Sequence, residues 1–294
     1  MGGSHITPLD ERGIGVGIQD PQEQSTTHYL SAEGVHWSWK AAQLDAGGEE
    51  RIVHTKDWVT YKPGFSRTLR FNTGVAGPDL AAGSPELQGA ERTGDHLSAR
   101  IPLFNDGSGN PGSSVVTGGF TRLESGGRIL SEGSPTEWLT TEDPAASAPY
   151  RLTVEASRSA EDTSTSTKVT GVWTFSSALP TSQPTARPPL STVWLAPKLS
   201  LRGTAPAGGT LTVPLKLSGA VAVAGQVAAL TVKVSYGGGR TWKPLTVTTD
   251  AKGARSVSVE HPATAKAVSF RVDLKDKGGN TVRETITNAY RLAP

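Results

Sequence analysis

The sequence predicts an all-β protein made of two consecutive sandwiches, and three observations carry that expectation. Apolar and polar residues alternate with a period of two in short runs. The clearest puts Leu230, Val232, Val234 and Tyr236 on one face and Thr231, Lys233 and Ser235 on the other, the pattern of a half-buried strand. Glycine contributes 34 and proline 20 of the 294 residues, enough punctuation to cut the chain into many short elements. Helical periodicity is rare, and the alternating runs recur at the close spacing of a β architecture.

Taken in order, Met1-Gly-Gly-Ser-His5 reads as a cloning remnant, and residues 6–27 as a leader or coil without periodicity. Residues 28–178 form the first expected domain, a β-sandwich or jelly-roll-like unit. Val35, Trp37 and Trp39 share one strand face, and 51–54 and 57–61 are short strand candidates. Phe65, Arg67, Leu69 and Phe71 alternate again, whereas Gly74–Thr93, rich in Gly, Pro and Ala, reads as a long surface loop. Further strands follow at Leu97–Leu103, 121–124 with 128–130 as a hairpin, Tyr150–Ala156 and Val169–Phe175.

Residues 179–191 hold Pro180, Pro184, Pro188 and Pro189 among Ser, Thr and Ala, the composition of a semi-stiff linker. Residues 192–294 then offer seven strand candidates over about 100 residues, which matches an immunoglobulin-like or fibronectin type III-like sandwich. Its central hairpin spans Ala229–Thr248, turning at Gly237-Gly-Gly239. The unit Ser235-x-Gly237-x-Gly239-x-Thr241-Trp242 is similar to an Asp-box, Ser-x-Asp-x-Gly-x-Thr-Trp, with Gly237 at the Asp position. Trp242 is expected in the core against Val232 or Val234, and Trp173 in the core of the first domain.

Composition excludes several function classes. The formal charge is +2, with 29 basic and 27 acidic residues interspersed, so neither a nucleic-acid footprint nor a polybasic membrane patch is expected. No apolar run approaches the roughly 18 residues of a membrane span. Cysteine is absent, which removes disulfides and thiolate metal sites. Neither a Gly-x-Ser-x-Gly elbow nor a His-Glu-x-x-His helix occurs. His28, His36, His54, His96 and His261 have no motif around them, so no catalytic residue is assigned. An enzyme on an unfamiliar β scaffold would need Asp, Glu or His clustered in a cleft.

Two candidate sites remain. Trp37 and Trp39 project to one face, and Trp58 and Tyr61 extend it; such residues either pack a core or form a stacking platform for a ligand. Asp106, Ser108 and Asn110 place oxygens at alternating positions, as a calcium loop begins, although position twelve would be Thr117 rather than Glu. The competing reading is a plain turn, and no other cofactor is indicated.

An ordered set of short segments adds a resemblance. Gly34-Val-His-Trp37, Thr60-Tyr-Lys-Pro-Gly64, Arg92-Thr-Gly-Asp95, Ile101-Pro-Leu-Phe104-Asn-Asp106, Tyr150-Arg-Leu-Thr153 and Val172-Trp-Thr-Phe175 carry its first half. Leu195-Ala-Pro-Lys-Leu199, Thr204-Ala-Pro-Ala207, the Ser235–Trp242 hairpin, Asp276–Val282 and Ala289-Tyr-Arg-Leu292 carry the second. Together they resemble the C-terminal, non-catalytic region of secreted subtilisin-like serine peptidases of actinobacteria. The resemblance implies accessory domains of an extracellular serine endopeptidase. Their partners would be the catalytic domain of the same polypeptide and a protein substrate. The Gly-Thr-Ser-Met-Ala context of that family's nucleophile is absent, so no catalytic role carries over. A free-standing module binding polysaccharide or a protein partner is the alternative.

Overall fold

The computed structural model describes residues 27–30, 35–82, 88–142, 147–178 and 184–294, and the backbone of 4–9 and 18–20. Its first strands are β1 (Ser4–Leu9), β2 (Ile18–Asp20), β3 (His36–Leu44), β4 (Glu50–Thr60), β5 (Gly89–Thr93), β6 (His96–Arg100) and β7 (Gly112–Ser114). Next come β8 (Gly118–Ser125), β9 (Arg128–Gly133), β10 (Leu139–Glu142), β11 (Ser147–Ser157), β12 (Lys168–Ala178), β13 (Thr185–Ala186), β14 (Ser191–Leu195) and β15 (Thr204–Pro206). The last are β16 (Thr210–Gly219), β17 (Val227–Ser235), β18 (Lys243–Leu245), β19 (Val247–Thr249), β20 (Arg255–Glu260), β21 (Ala267–Asp276) and β22 (Thr281–Ala293). Among the described residues there is no α-helix, so the all-β class holds.

Both halves share a single nine-stranded sheet. Its order is β18-β17-β21-β22-β12-β11-β8-β9, with β15 paired to β22 in parallel. Side chains of directly opposed residues share a face, so the register writes out continuous rows. One row runs Leu230, Leu274, Val282, Trp173, Leu152, Leu123; a second runs Val234, Phe270, Ile286, Val169, Ala156, Gly119. Between them lies Val232, Val272, Glu284, Gly171, Val154, Thr121. This face is buried beneath two smaller sheets, β14-β16-β20-β19 and β10-β6-β5-β13. The opposite face is polar, with Lys168–Glu155 (2.7 Å) and Arg151–Glu124 (3.7 Å) paired across strands.

The C-terminal half puts its first, second, fifth and sixth main strands (β14, β16, β19, β20) in one sheet, and its third, fourth and last two (β17, β18, β21, β22) in the other. That distribution is the immunoglobulin type. The expected boundary at 179–191 is crossed by hydrogen bonds, however. β12 pairs with β22 from Lys168↔Thr287 to Thr174↔Thr281. Past Asn288, whose φ is 54°, the same edge pairs with β15 at Arg291–Ala293. The outer edge of the last strand, which would otherwise stand open, is thereby used twice. The first strand after the Pro-rich segment, β14, lies over this seam and is buried at all five positions. Ser191 O accepts the Trp173 Nε1–H (2.8 Å), and the Val193 N–H donates to Glu284 Oε1 (3.0 Å). Thr185–Ala186 pairs with β5 and Leu190 is buried, so the described part of the Pro-rich stretch belongs to the fold; residues 179–183 lie outside the description.

Other expectations change locally. The two candidates at 51–61 are one strand, with β4 gaining a residue opposite the Trp37–Trp39 step. Residues 65–71 form no strand. The described part of Gly74–Thr93 is not a surface loop: Val75, Ala76 and Asp79 are buried, and 89–93 is β5, while residues 83–87 lie outside the description. Its small residues serve a narrow interior passage. A Cβ on Gly77 would meet Ile286 at 2.9 Å, and one on Gly107 would meet the Gly74 carbonyl at 2.0 Å. The leader contributes backbone, with Ser4–Leu9 paired to β3 and Ile18–Asp20 to β1; residues 10–17 and 21–26 are outside the description.

The Ala229–Thr248 hairpin divides on its return. β18 pairs with β17, while β19 crosses to the smaller sheet and pairs with β20. Trp242 is half-buried on the outer face, its ring under the Arg271 guanidinium at 4.6 Å, and not in the core with Val232 and Val234. Its position just before the edge strand places it outside the sandwich. Trp173 is in the core, as expected.

Candidate aromatic binding surface

The site grows from the alternation in β3. Trp39 and Ala41 face inward, and Trp39 is only 6% exposed. Its buried indole N–H requires a partner, which is the Tyr61 hydroxyl at 3.0 Å. That bond fixes Tyr61 just beyond the end of β4. Pro63 and Gly64 then turn the chain, Gly64 at φ 76°, and the Phe65 N–H donates to Lys62 O at 3.1 Å. Phe65 consequently lies along Tyr61, ring centroids 6.0 Å apart and planes 26° from parallel. Phe65 is 59% and Trp58 53% exposed, Trp58 standing where β4 carries its extra residue.

The four aromatic positions singled out from sequence therefore divide. Trp39 is a buried support and not a ligand surface, a correction that follows from its inward place in the alternation. Trp37 is half-buried, Tyr61 is the fixed centre, and Trp58 is the exposed member. Sequence reasoning assigned Phe65 to a strand and missed it as a surface residue. The available signal was Pro63-Gly64, a turn pair between Tyr61 and Phe65.

Asp106, Ser108 and Asn110 come together, but as a self-braced turn. Asp106 Oδ1 accepts the N–H groups of Ser108 (2.9 Å) and Asn110 (3.0 Å), and Oδ2 accepts Asn110 Nδ2–H (2.9 Å). The same device recurs at Asp45–Glu49, Ser200–Thr204, Asp250–Ala254 and Asp276–Asn280. In each, the first residue's N–H bonds the fifth carbonyl, and the fourth residue is a glycine at φ between 65° and 89°. A residue needing left-handed φ closes the turn cheaply only as glycine. Both Asp106 carboxylate oxygens are thus occupied by amides, the Ser108 hydroxyl meets that of Thr73 (2.9 Å), and no group of three metal-ligating side chains occurs among the described residues. Asp106→Ala is expected to cost about 3 kcal/mol through the orphaned amides, while EDTA leaves the melting temperature of the native chain unchanged. A chelator-induced drop in that temperature would restore the cation site.

Two buried polar centres escaped the sequence reading. His54 is 1% exposed, its Nε2 3.2 Å from Phe104 O, and burial pushes its pKa below the usual value. Nearby, Arg158 lies over the Phe104 ring at 4.4 Å and donates to the carbonyls of Ser166 and Thr165; burial lowers its pKa to about 10. The second centre is Glu284, in the middle row of the core face. Opposite it, Gly171 leaves space that the Trp173 ring fills, 2.0 Å from where a Cβ would stand. Glu284 Oε1 takes the Val193 N–H, Oε2 has no protein partner, and burial pushes the carboxyl's pKa well up, helped by Asp79. Asp79 Oδ1 accepts from Ser218 (2.8 Å), whose hydroxyl also meets that of Thr192.

No family model and no curated protein matches the chain. Among solved structures, a chimeric titin Z1Z2-Z1Z2 tandem is similar at 12% identity and a TM-score of 0.24, over 67% of this chain and 89% of that one. Bacteroides ovatus SGBP-B of a mixed-linkage glucan utilization locus, in complex with a heptasaccharide, is similar at 13% identity and TM-score 0.17, over 97% and 60%. Escherichia coli alpha-2-macroglobulin is similar at 12% identity and TM-score 0.21, over 98% of this chain and 28% of its own.

Proposed function

We propose that the chain is a non-catalytic accessory region of an extracellular subtilisin-like serine peptidase, acting by contact with a protein substrate or partner. The observation that supports contact is exposed Phe65 stacked on Tyr61, which Trp39 holds by a hydrogen bond, with Trp58 also exposed on β4. Grouped exposed aromatics carry an unfavourable hydration cost, and such groups concentrate at binding surfaces. The peptidase context rests on the ordered resemblance of the segments. A second reading, a free-standing polysaccharide-binding module, is favoured by the near-parallel Tyr61–Phe65 slab, since flat apolar faces suit sugar rings.

The test is retention of the purified chain on casein-agarose and on insoluble polysaccharide, with Trp58→Ala and Phe65→Ala as controls of unchanged melting temperature. Retention on casein, reduced about tenfold in both variants, supports the leading reading. Retention on polysaccharide alone replaces it with the second, and retention on neither removes both. The purified chain is expected to leave casein uncut. Cleavage blocked by a serine-directed reagent, and lost on mutating one of its own serines, would overturn the non-catalytic assignment.

A further inference from the structure

The β17–β18 hairpin gathers cations without acids to match them. Lys233 and Arg271 oppose each other directly on the outer face, both half-buried. Like charges in that position destabilise an antiparallel pair. Their other cross-strand neighbours are neutral, Pro244 for Lys233 and Thr285 for Arg271. Asp273, two residues along β21, is engaged by Arg283. Arg271 is stacked on Trp242, and its Nε is buried without a hydrogen-bond partner. A guanidinium over an aromatic ring can still offer its outer Nη–H groups to a carboxylate.

Arg240, in the connecting turn, is a third cation of the same hairpin. Its Nε and Nη2 stand 3.8 Å from where a Cβ on Gly237 would lie. In the Asp-box pattern, that position carries an aspartate. Here Ser235 braces the turn instead, its hydroxyl accepting the N–H groups of Gly237 (3.3 Å) and Gly239 (3.0 Å). Arg240 therefore faces the place of an aspartate side chain that this sequence does not supply. The adjoining β18 is the edge strand of the nine-stranded sheet, which an extended segment can reach.

We infer that Lys233, Arg240 and Arg271, with Trp242 as their support, form a docking site for the carboxylates of an acidic peptide segment. The site involves none of the aromatic residues on β3 and β4, so its failure would leave the proposed function standing. The probe is a synthetic hexaglutamate peptide, titrated into the full chain labelled with 15N-tryptophan, with sodium chloride at matched ionic strength as the blank. The Trp242 indole resonance, assigned by Trp242→Phe, is expected to shift saturably. Affinity is expected to fall about tenfold in Arg271→Gln and in Lys233→Gln, each checked for an unchanged melting temperature. Gly237→Asp, at a position where a Cβ has room, is expected to supply the carboxylate internally and weaken the peptide by a similar factor. No shift beyond the chloride blank, or a shift unaltered in all three variants, overturns the site. Equal affinity for a galacturonate oligomer would overturn the choice of an acidic peptide.

Discussion

Trp173→Ala is expected to lower the unfolding free energy by about 3–5 kcal/mol, and to do so in both halves of the chain at once. Trp173 is 1% exposed, and its indole fills the space above Gly171. Truncation leaves a cavity there and also orphans Ser191 O, the acceptor that ties β14 to β12. Because β12 and β22 belong to one sheet over one core, the two halves should melt together. Chemical denaturation followed by both tryptophan fluorescence and far-ultraviolet circular dichroism checks this. A single coincident transition moved to lower denaturant is the expected result. Two transitions with only one displaced would show that the halves fold independently.

The second large effect concerns Glu284. Its folded pKa is raised, so the native state keeps a proton that the unfolded chain releases above the ordinary value of 4.5. Its contribution is therefore complete below that pH and is lost as pH rises toward the folded pKa. Within that window the loss runs at about 1.4 kcal/mol per pH unit. Glu284→Gln retains an oxygen for the Val193 N–H and removes the titration. The variant should gain stability relative to the native chain progressively as pH is raised above 4.5, with little difference below it. A stability difference independent of pH would contradict the assignment. His54 acts in the opposite sense: burial lowers its pKa, so its contribution falls away as pH drops below about 6.5. Comparing Glu284→Gln with the native chain at each pH separates the two groups.

Much of the local structure is legible in the sequence. Alternation locates β3, β11, β12, β17, β21 and β22, because a strand with one buried face writes its burial into every second residue. The turns are equally readable: Asp or Ser at the first position and Gly at the fourth mark five closures that share one hydrogen-bond pattern. Trp58 and Tyr61 were legible as candidates for the surface, whereas the supporting role of Trp39 and the surface role of Phe65 were not. The first depends on which face of β3 is covered, and alternation alone does not say whether an apolar face meets a core or a ligand. The second follows from the turn at Pro63-Gly64, which the apparent alternation through 65–71 obscures.

The sequence by itself determined the β class, the immunoglobulin-like character of the C-terminal half and its turns at Gly237–Gly239 and Asp276–Asn280, since each follows from interactions among residues a few places apart. The seven strands it counted become eight main ones because the return of the hairpin divides into β18 and β19. Only the tertiary structure decided that the Pro-rich stretch ends in a buried strand, that β12 and β22 join two sandwiches into one sheet, and that a glutamate sits in the middle of its apolar face. Those outcomes rest on backbone hydrogen bonds between segments about a hundred residues apart. A backbone N–H or carbonyl carries no side-chain signature of its distant partner. Likewise Glu284 is tolerated only because Val193, from another sheet, brings an N–H to meet it.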